Sequence, residues 1–123
     1  METHDDWCDP KYLVKVMEMV DHPAIAINWD IMHPVIRTHK TMQEAFNLVK
    51  PWIGHVHFHD GTYVDHEFKL VSIGNGAVDH NMAIRLLKEI NYEGYLSGEW
   101  IDWDSYEIHL PRELSAMLAY ERI

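Results

Sequence analysis

Two hydrophobic periods alternate along the chain. Leu13, Val14, Val16, Met17 and Val20 recur at helical spacing behind Asp9-Pro10, an N-cap residue followed by proline at the first helical position. A helix is therefore predicted over 10–20, ended by His22-Pro23. Ala24 to Trp29 is a short apolar run of strand length that ends in Asp30 and the loop-like His33-Pro34. Thr41-x-x-Glu44 has the form of a capping box, with Met42, Ala45, Phe46 and Val49 on one face behind it and Pro51 closing the helix. Ile53 to His59 reads as a strand. Residues 60–78 read as a long connection with a short extended piece at 68–73, a length that in a compact domain often carries function. Asp79 caps a helix carrying Met82, Ala83, Leu86, Leu87 and Ile90. Tyr95 to Trp100 is a strand, and a last helix is predicted from Pro111 to Arg122. Residues 1–5 read as the end of a strand.

This alternation predicts an α/β fold of four βα units, with a parallel sheet covered by helices. Two architectures fit: a small doubly wound sheet, or half of an eight-stranded TIM (β/α)8 barrel. No linker or repeat divides the chain, so residues 1–123 read as a single domain.

Composition narrows the function classes. The chain is 47% hydrophobic, which is globular rather than disordered. No apolar run approaches the roughly 18 residues that a membrane span needs. No signal peptide is visible, so a cytoplasmic location is the expectation. The net charge of −10 disfavours nucleic acid or an anionic membrane as the main partner. The single cysteine, Cys8, excludes an intrachain disulfide and a thiolate-based zinc site, and reads as an inert loop or packing residue. Ten histidines are the unusual feature, and their spacing carries the chemistry.

Alternate residues of a strand share a face. On one parity the four strands carry Glu2 and His4; Ala26, Asn28 and Asp30; His55, His57 and His59; and Tyr95, Ser97 and Glu99. The opposite parity is mostly apolar, with Ile25, Ile27, Val56, Phe58 and Leu96. Buried carboxylates and imidazoles are costly unless paired or bound to a cation, and parallel strands bring their C-terminal ends together where sites form. Carboxylates with imidazoles and no thiolate suit Mn²⁺, Co²⁺, Mg²⁺, Fe²⁺ or Zn²⁺. His33, three residues after Asp30, can reach the same place from the following loop. His22, His39, His80 and His109 fall at turns or helix surfaces and are expected to be solvated.

Five motifs occur in order: Glu2-Thr3-His4, Asn28-Trp29-Asp30-Ile31-Met32-His33-Pro34, His55-Val56-His57-Phe58-His59-Asp60, Ile73-Gly74-Asn75-Gly76-Ala77-Val78-Asp79, and Tyr92-Glu93-Gly94-Tyr95-Leu96-Ser97-Gly98-Glu99. Together they resemble the C-terminal half, strands five to eight, of the xylose isomerase-like TIM-barrel family. That family includes ketose 3-epimerases, inosose isomerases and dehydratases, and an apurinic endonuclease branch. The resemblance implies a divalent metal held by Glu2, Asp30, His57 and Glu99. It implies that Glu2 and Glu99 are also the catalytic acid/base pair, which moves a proton next to a carbonyl. His4, His33 and His59 would be substrate-facing. The family's arginine after the third of these strands has no equivalent, its place being taken by Tyr63. The adjacent Asp65-His66 departs from the spaced Asp-x-His of the endonuclease branch.

The implied activity is a metal-dependent isomerase or epimerase acting on a small sugar, cyclitol or polyol. The alternative is a non-catalytic or vestigial half-barrel that binds metal or nothing. A complete barrel takes about 250 residues. A lone half would leave strand edges and an apolar sheet face open, so a homodimer, or pairing with a separate N-terminal half, is expected to complete it.

Overall fold

The computed structural model describes residues 1–123. Its elements in chain order are α1 (Pro10–Val20), β1 (Ile27–Asp30), α2 (His33–Thr38), α3 (Met42–Val49), β2 (Ile53–His57), β3 (Asp60–Val64), β4 (Glu67–Val71), α4 (His80–Glu89), β5 (Leu96–Ser97) and α5 (Tyr106–Glu121). The parallel sheet has the order β1-β2-β5. Glu2 adds a single parallel bridge to Asn28 on the outer side of β1, so the first predicted strand is reduced to one paired residue. Asp30 lies level with His57, and His57 with Ser97. The N-terminal segment is pinned by Asn28 N–H donating to the Met1 carbonyl and Thr3 N–H to the Asn28 carbonyl.

The two sheet faces divide as the strand parity predicts. Ile27, Trp29, Val56 and Phe58 are buried against the helices, together with Leu13 and Met17 of α1, Phe46 of α3 and Leu86 of α4. Burying such side chains supplies about 1.5–3 kcal/mol each and fixes the register, since a one-residue slip would turn the apolar set outward. The other face carries Asn28, Asp30, His55, His57 and Ser97. The open face is therefore polar, not the exposed apolar face expected of a lone half-barrel. The apolar exposure lies instead at Met19 of α1, at Tyr95 and Ile101 flanking β5, and at Tyr106, Leu110, Leu114 and Leu118 of α5.

Local signals place most helices. Asp9 accepts from Lys11 N–H and Asp79 from Met82 N–H, and the Thr41/Glu44 capping box is formed in both directions. Three differences from the sequence reading stand out. The segment after Asp30 forms the short helix α2, where a loop was expected. Residues 60–71 form an antiparallel hairpin of β3 and β4. Helix α5 starts at Tyr106, five residues before Pro111, because Trp100 and Trp103 pack on His109 at ring separations of 5.0 and 5.4 Å and hold the turns ahead of the proline. His80 and His109, expected to be solvated, are 1% and 6% exposed. His22 and His39 are exposed as expected. No helix is long and apolar enough to cross a membrane.

Candidate metal centre

The C-terminal end of the sheet gathers the acidic and imidazole groups. Ligand-capable atoms of Glu2, Asp30, His57 and Glu99 all lie within 4.8 Å of one another. His57 Nδ1 is their focus, with Glu2 Oε1 at 2.6 Å, Glu99 Oε2 at 3.6 Å and Asp30 Oδ2 at 4.0 Å. Despite that closeness, Glu2 Oε1 and His57 Nδ1 are both buried without an aligned hydrogen-bond partner. Two buried polar atoms in contact yet unpaired are costly, and a cation between them and the other carboxylates would satisfy both. Three carboxylates and one imidazole match a hard or borderline divalent ion.

Neighbouring residues set the orientation of this group. Asn28, level with His55 on the next strand, places its carboxamide 3.1 Å from His57 Nε2. The atom at that distance is the amide nitrogen Nδ2, while Asn28 Oδ1 is buried without a partner. Turned end for end, the carboxamide would accept from His57 Nε2–H through Oδ1 and leave on Nδ1 the lone pair that a cation needs. Thr3 is fully buried. Its hydroxyl accepts from Asp30 N–H at 2.8 Å and donates to the Asp30 carbonyl at 3.0 Å, clamping the Glu2 segment onto β1.

Asp30 is 0% exposed. Its Oδ1 accepts from the N–H groups of Met32 and His33, and its Oδ2 lies 2.5 Å from His59 Nε2. Burial pushes the Asp30 carboxyl up, but the His59 hydrogen bond and charge, with the His33 N–H, outweigh it and hold the group ionised. Burial pushes His59 down, and the Asp30 hydrogen bond and charge reverse that and raise it. His33 has no such partner, and burial brings it down to about 4, so it is neutral near pH 7. Asp30, His33, His59 and Glu99 form a second group within the same 4.8 Å limit. Its His59 is already engaged at both nitrogens, by Asp30 and by the Glu99 carbonyl at 2.8 Å, so the set centred on His57 is the better cation site.

The other expected site residues fall as follows. His4 packs edge-on against His33, with ring centroids 4.1 Å apart, and its Nε2 is 3.9 Å from Glu99 Oε2. His4, His33, His59 and Glu99 share a cavity of about 190 Å³ beside the metal ligands, with Phe68 of β4 on its far wall. His55 turns away to Ser97 Oγ, at 2.9 Å. Tyr63 is half exposed on the hairpin, against Phe68. A roomier cavity of about 460 Å³ opens between Asp21, Pro23, Ala26 and Pro51, at the opposite end of the strands and away from this chemistry.

Sequence reasoning assigned no role to Asn28, Thr3, Arg37 or Phe68. Asn28 shares parity with Asp30, and Thr3 is a polar residue on the otherwise apolar parity, so both left a signal. Arg37 lines the same cavity one helical turn after His33, a relation visible only once α2 is known to be a helix.

Comparison with known proteins gives the wider setting. The sequence model of the family described as Xylose isomerase-like TIM barrel matches residues 1–119. No curated protein sequence matches at a significant level. Among solved structures, a xylose isomerase domain protein from Planctomyces limnophilus superposes with a TM-score of 0.77 at 20% identity, covering 99% of this chain and 43% of its own. A probable 3-DHS dehydratase involved in petrobactin synthesis from Bacillus anthracis gives 0.79 at 22% identity, covering 96% of this chain and 48% of its own. A 3-keto-D-glucoside 4-epimerase from E. coli gives 0.64 at 20% identity, with 89% and 38% covered. The chain thus spans less than half the length of each of these structures.

Proposed function

Since the chain belongs to the xylose isomerase-like TIM-barrel family, we propose that it is a metal-binding half-barrel of an isomerase or epimerase that moves a proton next to the carbonyl of a small sugar, cyclitol or polyol. The observation that carries this reading is the convergence of Glu2, Asp30 and Glu99 oxygens on His57 Nδ1, with Glu2 Oε1 and His57 Nδ1 left unpaired. Mn²⁺, Co²⁺, Mg²⁺, Fe²⁺ or Zn²⁺ held there would polarise the carbonyl and stabilise the negative charge left when the proton departs.

Exposure separates the roles of the carboxylates. Glu2 and Glu99 side chains are 29% and 26% exposed, while Asp30 is at 0%. The two open carboxylates can reach a substrate carbon, one taking the proton and the other returning it. Asp30 has its oxygens occupied by backbone N–H groups and His59, so it holds and orients. His4, His33 and His59 line the cavity beside Glu99, and the neutral His33 imidazole suits a substrate hydroxyl.

A second reading follows from coverage. The chain spans less than half of each matched structure, and turnover in a full barrel also needs the facing wall. We propose that another half-barrel, most simply a second copy, supplies it. Without that wall the chain would be a non-catalytic metal-binding module.

Metal analysis with Mn²⁺ titration tests the centre. About one ion per chain is expected, with affinity falling about 10–100-fold or more in His57→Ala or Glu99→Gln. Undiminished binding in both variants would refute the centre. Metal-dependent uptake of solvent deuterium into a ketose panel then separates enzyme from module: Glu99→Gln should abolish it, and no uptake in metal-loaded wild type leaves the module.

A further inference from the structure

The cavity beside the metal ligands has one permanent cation in its wall. Arg37, in the last turn of α2, lines it together with Glu99 and His33. Its guanidinium lies 5.6 Å from the Phe68 ring centroid, backed by the hairpin. Arg112 pairs with Glu113 and Asp104, and Lys11 and Lys40 pair with Asp9, but no carboxylate stands within 4.0 Å of Arg37. Met32, Leu70 and Ile101 supply the apolar part of the cavity lining, and His4 and His59 complete it. Arg37 is itself exposed, and a guanidinium held against an aromatic face keeps its fork of N–H donors free for a ligand that enters the cavity. A planar or tetrahedral oxyanion satisfies that fork best.

The charges of the centre sharpen the case. Glu2, Asp30 and Glu99 outweigh a divalent cation by one negative charge, and the whole chain carries −10. An anionic substrate would be repelled from such a site unless a fixed cation receives its charged end. A neutral sugar would need no cation there.

We propose that Arg37 is an anion subsite of this pocket, and that the substrate class carries a carboxylate or phosphate monoester at the end away from the reacting hydroxy-carbonyl. The proposal rests on the metal-centre reading of Glu2, Asp30, His57 and Glu99. Arg37 touches the substrate's charged group and takes no part in proton transfer.

The test uses the full chain loaded with Mn²⁺, whose affinity is measured first and separately. Calorimetric titration then compares D-ribonate, D-ribose 5-phosphate and D-ribose. At least one anion should bind about tenfold or more tighter than D-ribose. Tighter ribonate alone assigns a carboxylate, and tighter phosphate ester alone assigns a phosphate. Arg37→Gln should remove the preference and Arg37→Lys should retain part of it, both with Mn²⁺ affinity within about twofold of wild type. Three results overturn the proposal while the metal centre stands: anions no tighter than D-ribose, a preference that survives Arg37→Gln, or no binding of any probe to the Mn²⁺-loaded chain. Failure to bind Mn²⁺ at all fells the metal-centre reading, and this one with it.

Discussion

Asp60 shows how much one buried side chain organises near the site. It is 0% exposed and accepts from the N–H groups of Gly61, Gly74, Gly76 and Val78. Gly76 is required because a Cβ there would run into the Asp60 carboxylate and the Gly61 carbonyl, and Gly74 takes a φ of +89°. The loop gathered in this way leads into His80, whose Nε2 donates to the His59 carbonyl at 3.0 Å behind Asp30. Burial holds the His80 imidazole below its ordinary pKa, so it serves as a neutral donor. Asp60→Asn would place an NH₂ donor against backbone donors. We expect it to cost about 2–3 kcal/mol in urea unfolding. A loss below about 0.5 kcal/mol would mean that the loop holds its shape without the carboxylate.

At the scale of elements, the β3–β4 hairpin decides whether the site has a lid-like wall. Its two turn residues, Asp65 and His66, have φ of 52° and 68°, the left-handed values of a tight turn with both central residues strained. Neither residue is glycine or asparagine, which tolerate that region best. The double change Asp65→Asn, His66→Gly should therefore raise stability by about 1 kcal/mol in thermal or urea unfolding. It should leave Mn²⁺ binding unchanged, since the turn lies at the far end of the hairpin from Asp60. Helix α5 makes the opposite compromise. It keeps Pro111 in its interior, a position that costs about 3 kcal/mol in an isolated helix. Glu113 offsets part of that cost by reaching back to accept from Ile73 N–H at 2.8 Å.

For the whole molecule, the sheet ends on open edges, with Glu2 beside β1 on one side and β5 on the other. Tyr106, Leu110, Leu114 and Leu118 recur every four residues along α5 at 43–66% exposure, a stripe facing away from the core. Apolar stripes of this kind on a terminal helix mark a surface that another element covers. If a second copy covers it, the chain in solution should have a mass above 14.5 kDa per particle, falling to the monomer value in Leu114→Glu/Leu118→Glu. Light scattering would show a monomeric wild type if the surface is left to some other partner.

The sequence by itself determined the alternation of strands and helices, the parity that sends apolar residues to one sheet face, and the residue types available at the strand ends. Those features depend on local periods of two and 3.6 residues and on caps such as Thr41 and Asp79, which act within a few positions. Strand parity left His55, His57 and His59 equivalent, the family resemblance singled out His57, and the tertiary structure supplied the contact of its Nδ1 with the three carboxylates. Register between β1, β2 and β5 sets that contact, and register depends on packing across the sheet. It also buried His80 and His109 and brought Arg37 and Phe68 to one cavity. The burial of those histidines and that meeting arise from contacts between segments far apart in the chain, where no periodicity reports them.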